Sequence, residues 1–196
     1  MKKLTLTSWI LAAVLALAAA PLFAQQSGST LDKMDFGLNF TYKWAKRATA
    51  APGPGFFIQG GSLDTAYTPG GRFKGLGLAV DANGESASSV TAGVNLSQLT
   101  FVAGPRYTQR GSRASVYAQS LFGVVHAFNS VFPGATGPLS SATAFASQFG
   151  GGLNVQFTQH LAWRVTELDY IYTRLPNNNT NSQSDIRLST GVAFHF

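Results

Sequence analysis

From Met34 the even-numbered positions read Met34, Phe36, Leu38, Phe40, Tyr42 and Trp44, while the odd ones read Asp35, Gly37, Asn39, Thr41, Lys43 and Ala45. Successive side chains of a β-strand point to opposite faces. A strand therefore sorts these residues into one wholly apolar face and one small or polar face, whereas a helix would mix them. The stretch is long enough for a tilted strand to cross a bilayer, which takes about 9–11 residues. The C-terminal stretch repeats the pattern. Ile186, Leu188, Thr190, Val192, Phe194 and Phe196 alternate with Asp185, Arg187, Ser189, Gly191, Ala193 and His195. A third case runs from Thr143 to Phe157. There Phe145, Phe149, Leu153, Val155 and Phe157 share a face with Ser147 and Gly151, opposite Ala144, Ala146, Gln148, Gly150, Gly152, Asn154 and Gln156.

Five further strands complete a set of eight. Phe56–Tyr67 alternates poorly. Lys74–Ala82 sets Leu76, Leu78 and Val80 against Gly77, Ala79 and Asp81, and Leu99–Tyr107 sets Leu99, Phe101 and Ala103 against Thr100, Val102, Gly104 and Arg106. Ser115–Ala127 is apolar on both parities, so its faces stay unassigned. In Leu161–Thr173 the parity changes: Trp163 and Val165 align with Glu167 and Asp169, while Leu168, Tyr170 and Tyr172 take the other parity. A β-bulge near Val165–Thr166 would restore one apolar face. The connectors are expected to alternate between long (Lys46–Gly55, Asn83–Gln98, Phe128–Ala142, Arg174–Ser184) and short (Thr68–Phe73, Thr108–Ala114, Thr158–His160). Long outer loops and short periplasmic turns are the pattern of outer-membrane barrels.

Residues 1–24 read as a signal peptide, with Lys2 and Lys3, an apolar segment Ile10–Ala20, Pro21, and cleavage after Ala24. Residues 25–32 form a short periplasmic segment, and 33–196 the barrel domain. Only 11% of residues are charged, against about 25% in an ordinary soluble domain. No apolar run of membrane-helix length follows residue 24. The chain has no Cys, so there is neither a lipidation site nor a disulfide framework. The cleaved chain keeps 12 Lys+Arg against 8 Asp+Glu, scattered along its length. With export, that excludes nucleic acid as a partner.

The expected fold is all-β: an eight-stranded antiparallel up-and-down transmembrane β-barrel. A strand in hydrocarbon must pair every N–H and C=O, which only a closed sheet achieves. Phe36, Leu38, Phe40 and Tyr42 are expected to face lipid, with Trp44, Tyr67, Tyr107, Trp163, Tyr170 and Tyr172 as interfacial girdles. An eight-stranded lumen is just wide enough to be filled by side chains. Lys43, Arg106, Glu167, Asp169, Asp185 and Arg187 are expected to pair there, because an unpaired buried charge is costly; Asn39, Gln148, Asn154 and Arg164 are further candidates. A soluble lipocalin-like binder would invert the faces. It would crowd the aromatic rows into a small cup and leave a surface with few charges.

The terminal run Ile186-x-Leu188-x-Thr190-x-Val192-x-Phe194-x-Phe196 resembles the ending of small outer-membrane barrels of the OmpA-like and opacity-type kind. Ala103–Tyr107, His160–Arg164 and Asp169–Arg174 resemble strand signatures of the same group. The resemblance covers essentially residues 33–196. It implies that Phe196, Phe194, Val192 and Leu188 signal to the barrel-assembly machinery. It also implies a barrel alone, without the peptidoglycan-binding domain of full-length OmpA.

Catalysis finds little support. No spacing ties His126 to Ser120 or Ser130 as base and nucleophile. Glu167 and Asp169 fit lumen ion pairs better than an acid–base pair. His126, His160 and His195 lack ligand spacing, so no metal or cofactor is expected. Gly150–Gly152 has no helix after it and is no phosphate loop. The expected role is structural or surface-interacting, as a monomer among outer-membrane lipids. Any unknown surface ligand would be held by the long loops, especially Phe128–Ala142 and Pro176–Ser184. A narrow solute channel and a lipid-modifying barrel enzyme are the alternatives. The protein is predicted to fractionate with membranes and to migrate differently on gels before and after heating; a freely water-soluble monomer would contradict this.

Overall fold

A computed structural model describes residues 34–45, 55–69, 75–91, 94–111, 113–134, 137–177 and 180–196. The expected signal peptide and the 25–32 segment lie outside the described residues. The strands are β1 (Met34–Ala45), β2 (Phe56–Tyr67), β3 (Leu76–Thr91), β4 (Val94–Arg110), β5 (Ala114–Phe132), β6 (Leu139–Gln156), β7 (Leu161–Thr173) and β8 (Gln183–His195). Each pairs antiparallel with the next, and β1 pairs β8, so the sheet closes. The register leads from Met34 through Tyr67, Leu78 and Pro105 to Ser120, then through Phe149, Tyr170 and Ile186 to Trp44. One circuit thus climbs ten residues along β1. Such a stagger obliges the strands to tilt.

Alternation sorts the faces. In β1, Asp35, Gly37, Asn39, Thr41, Lys43 and Ala45 are buried, while Phe36, Phe40 and Trp44 stand exposed. The expected bulge lies at Val165–Thr166. Arg164 pairs Gly191 and Glu167 pairs Ser189, while on the β6 side Asn154 pairs Arg164 and Leu153 pairs Thr166. The extra residue lets Trp163 and Leu168 both point outward while Arg164, Glu167 and Asp169 point inward. In β5 the odd positions Tyr117, Gln119, Leu121, Val125 and Ala127 are buried, and Val116, Phe122 and Val124 are exposed. From Leu121 on, its inner face is apolar, because Leu121, Val125, Ala127 and Phe132 join a cluster with Ala66, Ala79, Val102, Ala146 and Leu175.

Two expected loops prove to be strand. Most of Asn83–Gln98 continues as a hairpin, with Ala87 opposite Leu96 and Thr91 opposite Val94. Likewise β5 runs on to Phe132, opposite Leu139. These ends are rich in Ser, Thr, Asn and Gly and lack clean alternation. Pairing needs only backbone there; alternation is imposed only where one face meets an apolar phase. The hairpins form one end of the barrel. The other end carries both strand termini and the connectors 111–113 and 157–160. Outward aromatic residues gather near both ends: Trp44 and Tyr170 towards the hairpins, Tyr67, Tyr107 and Trp163 towards the termini.

Phe40 lies mid-strand and is 55% exposed on the outer face. Phe40→Arg is expected to lower stability in bilayers by about 2–4 kcal/mol, read by denaturant titration in lipid vesicles. Unchanged stability would contradict an outer face in hydrocarbon.

Candidate functional site

Two regions bear chemistry: the lumen and the cavity at its hairpin end. The lumen is held by arginines. Arg164 Nη1 bonds Asp64 and lies 3.0 Å from Glu167 Oε2, and its Nε donates to Asn154 at 3.2 Å. Arg106 donates to the other oxygen of Asp64 at 2.9 Å, and to Gln119 Oε1 at 2.9 and 2.7 Å. Tyr117 OH donates to Glu167. Its ring lies 4.5 Å from the Arg106 guanidinium and 5.1 Å from that of Arg164, the geometry of a cation–π contact. Arg187 bonds Asp169 at 2.9 Å, with Asp81 at 3.5 Å and Glu167 at 3.6 Å. Lys43 pairs with Glu85 and donates to Gln98 at 2.6 Å. Near the termini Asp35 receives Arg110 at 2.8 Å and His195 Nδ1 at 2.7 Å.

Of the chain's eight acidic residues, seven are buried: Asp35, Asp64, Asp81, Glu85, Glu167, Asp169 and Asp185. The structure brings Lys43, Arg106, Glu167, Asp169 and Arg187 into this web, and puts Asp185 higher, at the cavity. Arg164, named among the further candidates, meets Glu167 as described. Asp64, Asp81 and Glu85 were not in the expected set of pairs. Asp81 stood on the right parity, Asp64 lies on a strand with weak alternation, and Glu85 lies in a segment read as loop. Glu167 and Asp169 are both occupied by arginines. His126 is exposed, 2.8 Å from Thr143 Oγ1, and stacks on Phe128. Among the described residues no group of three or more His, Asp or Glu could hold a metal ion.

Phe36, Leu38, Phe40 and Tyr42 stand on the outer face of β1, Leu38 and Tyr42 half-covered by their neighbours. In β8, Leu188 and Val192 are exposed outward and Phe194 is half-buried opposite Phe36. Phe196 exchanges backbone bonds with Met34 at 2.9 and 3.0 Å, and its ring meets Phe36 edge-on at 5.9 Å.

At the hairpin end a cavity of about 580 Å³ opens above the web. Phe56, Ile58, Leu96, Val131, Phe132 and Leu175 supply apolar wall, joined by Pro133, Pro138 and Pro176. Gln98, Thr173, Gln183 and Asp185 supply polar lining. Local chemistry fixes these walls. Asn129 adopts φ 60°, a region Asn tolerates, where the β5–β6 register shifts; beyond it Phe132 is buried against the core cluster. Gln183 accepts from Thr173 Oγ1 and Leu175 N and donates to Leu175 O, at 3.0, 3.2 and 3.0 Å. Asn177 and Asn181 each accept the other's backbone N–H, at 2.8 and 3.0 Å.

The fold is that of solved outer-membrane barrels. Neisserial surface protein A superposes with a TM-score of 0.59 at 14% identity, over 83% of this chain and 97% of its own. Ail, the attachment invasion locus protein of Yersinia pestis, superposes at 0.52 and 14% identity, over 84% of this chain and 99% of its own. Ail in complex with the heparin analogue sucrose octasulfate gives 0.51. No protein-family model and no curated protein matches the chain. An apolar outer belt, a closed sheet and a charge-filled lumen define the class: an eight-stranded β-barrel of the bacterial outer membrane.

Removing one member of a buried ion pair strands the other. Lys43→Met and Glu85→Gln are each expected to cost about 3–5 kcal/mol, and the double variant less than either alone. Additive losses in vesicle unfolding titrations would contradict the pairing.

Proposed function

We propose that the protein is a closed, monomeric outer-membrane barrel that supports surface interaction at its hairpin end and does not conduct solutes. The observation that carries this is the web of Arg106, Arg164 and Arg187 with Asp64, Asp81, Glu167 and Asp169, all buried across the lumen. Side chains that bond each other across a bore of eight strands leave no continuous aqueous path. The signal peptide 1–24 would export the chain. Phe196 and its alternating neighbours Phe194, Val192 and Leu188 would present the assembly signal. The hairpins would then face outward and the termini the periplasm, as in other barrels with periplasmic turns.

A narrow solute channel is favoured by one observation. Thr41, Gln148 and Ser189 carry buried polar atoms without a hydrogen-bond partner in the protein, and water satisfies such groups. Planar-bilayer recording separates the two. A closed barrel gives no stepwise conductance from the purified protein, and Arg164→Ala together with Arg187→Ala raises it. Steady single-channel steps from the unaltered protein would establish the channel.

A further inference from the structure

We propose that the cavity at the hairpin end is a binding site for a single-chain amphiphile whose head is not anionic. The proposal rests on the outward placement of that end and adds the chemistry of its ligand. Size comes first: about 580 Å³ falls inside the 300–1,000 Å³ range of small-molecule pockets. The character of the wall comes second. Ile58, Leu96, Val131 and Leu175 with the prolines outweigh the two rings, Phe56 and Phe132. That surface suits a flexible alkyl chain, whose burial is favoured CH₂ by CH₂. Such a chain is at hand for a pocket beside a bilayer.

The third point is charge. Among the described residues that line the cavity, Asp185 is the one ionisable group. The web below sets five buried carboxylates, Asp64, Asp81, Glu85, Glu167 and Asp169, against the four buried cations Lys43, Arg106, Arg164 and Arg187. With Asp185 added, the described charge beneath the cavity is net negative, and a carboxylate or phosphate head is repelled. A hydroxyl or ammonium head is accepted, and Gln98 and Thr173 offer it polar contacts. The fourth point is preorganisation. The Gln183 bonds to Thr173 and Leu175 hold the β7–β8 wall before a ligand arrives, which lowers the cost of binding.

The test uses the whole mature protein in lipid nanodiscs, with methyl resonances of Ile58, Val131 and Leu175 as reporters. Dodecanol and dodecylammonium are expected to shift them saturably, and dodecanoate at least tenfold more weakly. Val131 is 64% exposed, so Val131→Asn leaves the barrel folded, as its heat-shifted gel mobility will report; it is expected to weaken dodecanol binding about tenfold. Non-saturable shifts, equal binding of dodecanoate, or an unaffected Val131→Asn variant would each overturn the proposal. So would binding that emerges only after residues 46–54 are deleted, since that segment would then be the occupant. Surface labelling of Thr180→Cys on intact cells reads the orientation separately, so failure of the ligand and failure of the outward placement are told apart.

Discussion

A polypeptide in hydrocarbon has only itself to hydrogen-bond. Every other feature of this barrel descends from that. The sheet must close, because a free edge in lipid would leave a row of N–H and C=O groups unpaired. Closure with eight strands and a climb of ten residues per circuit sets a bore that side chains can just fill. The face turned away from lipid then becomes the protein's interior. Polar residues pack where a soluble protein keeps its leucines, and seven of the eight acidic residues are drawn inside.

That interior is stable only as a set. Burying an ion pair gives little net stability, since desolvation offsets the attraction; leaving one partner behind is what costs. The web therefore acts chiefly as a specification. Arg164 joins β7 to β2 through Asp64, Arg187 joins β8 to β7 through Asp169, and Lys43 joins β1 to β3 through Glu85. A slip by one residue on any of these strands would turn its charge out to lipid. Glycines make room for the web. A Cβ on Gly37 would lie 2.0 Å from Asp64 Oδ1 and 2.8 Å from Arg164 Nη1, and one on Gly152 would lie 2.6 Å from the Tyr117 hydroxyl. The small residues of the inner face are thus matched to the large ones that cross it.

Strand faces were legible wherever lipid and lumen pull in opposite directions. β1, β6 and β8 could be read residue by residue, and even the bulge at Val165–Thr166 announced itself through a parity change. Legibility failed where that contrast lapses. Asn83–Gln98 is mostly small or polar on both faces, so it looked like loop although it pairs, and Glu85, buried on the inner face, was lost with it. In β5 the contrast lapses the other way, since Leu121, Val125 and Ala127 pack inside as apolar residues. Asp64 was obscured because β2 carries Gly60, Gly61 and Ser62 where larger side chains would have marked the faces. The hairpin-end cavity had no linear signal. Its walls come from seven strands and the connectors beside them, and only the closed register brings them together.

Trp44 and Trp163 test the central claim most directly. They are the two tryptophans of the chain after residue 24, one towards each end of the barrel and both on the outer face. In vesicles their fluorescence should be quenched by lipids brominated on the acyl chain and hardly at all by aqueous iodide. Quenching by iodide with indifference to brominated lipid would mean that the aromatic face does not meet the bilayer.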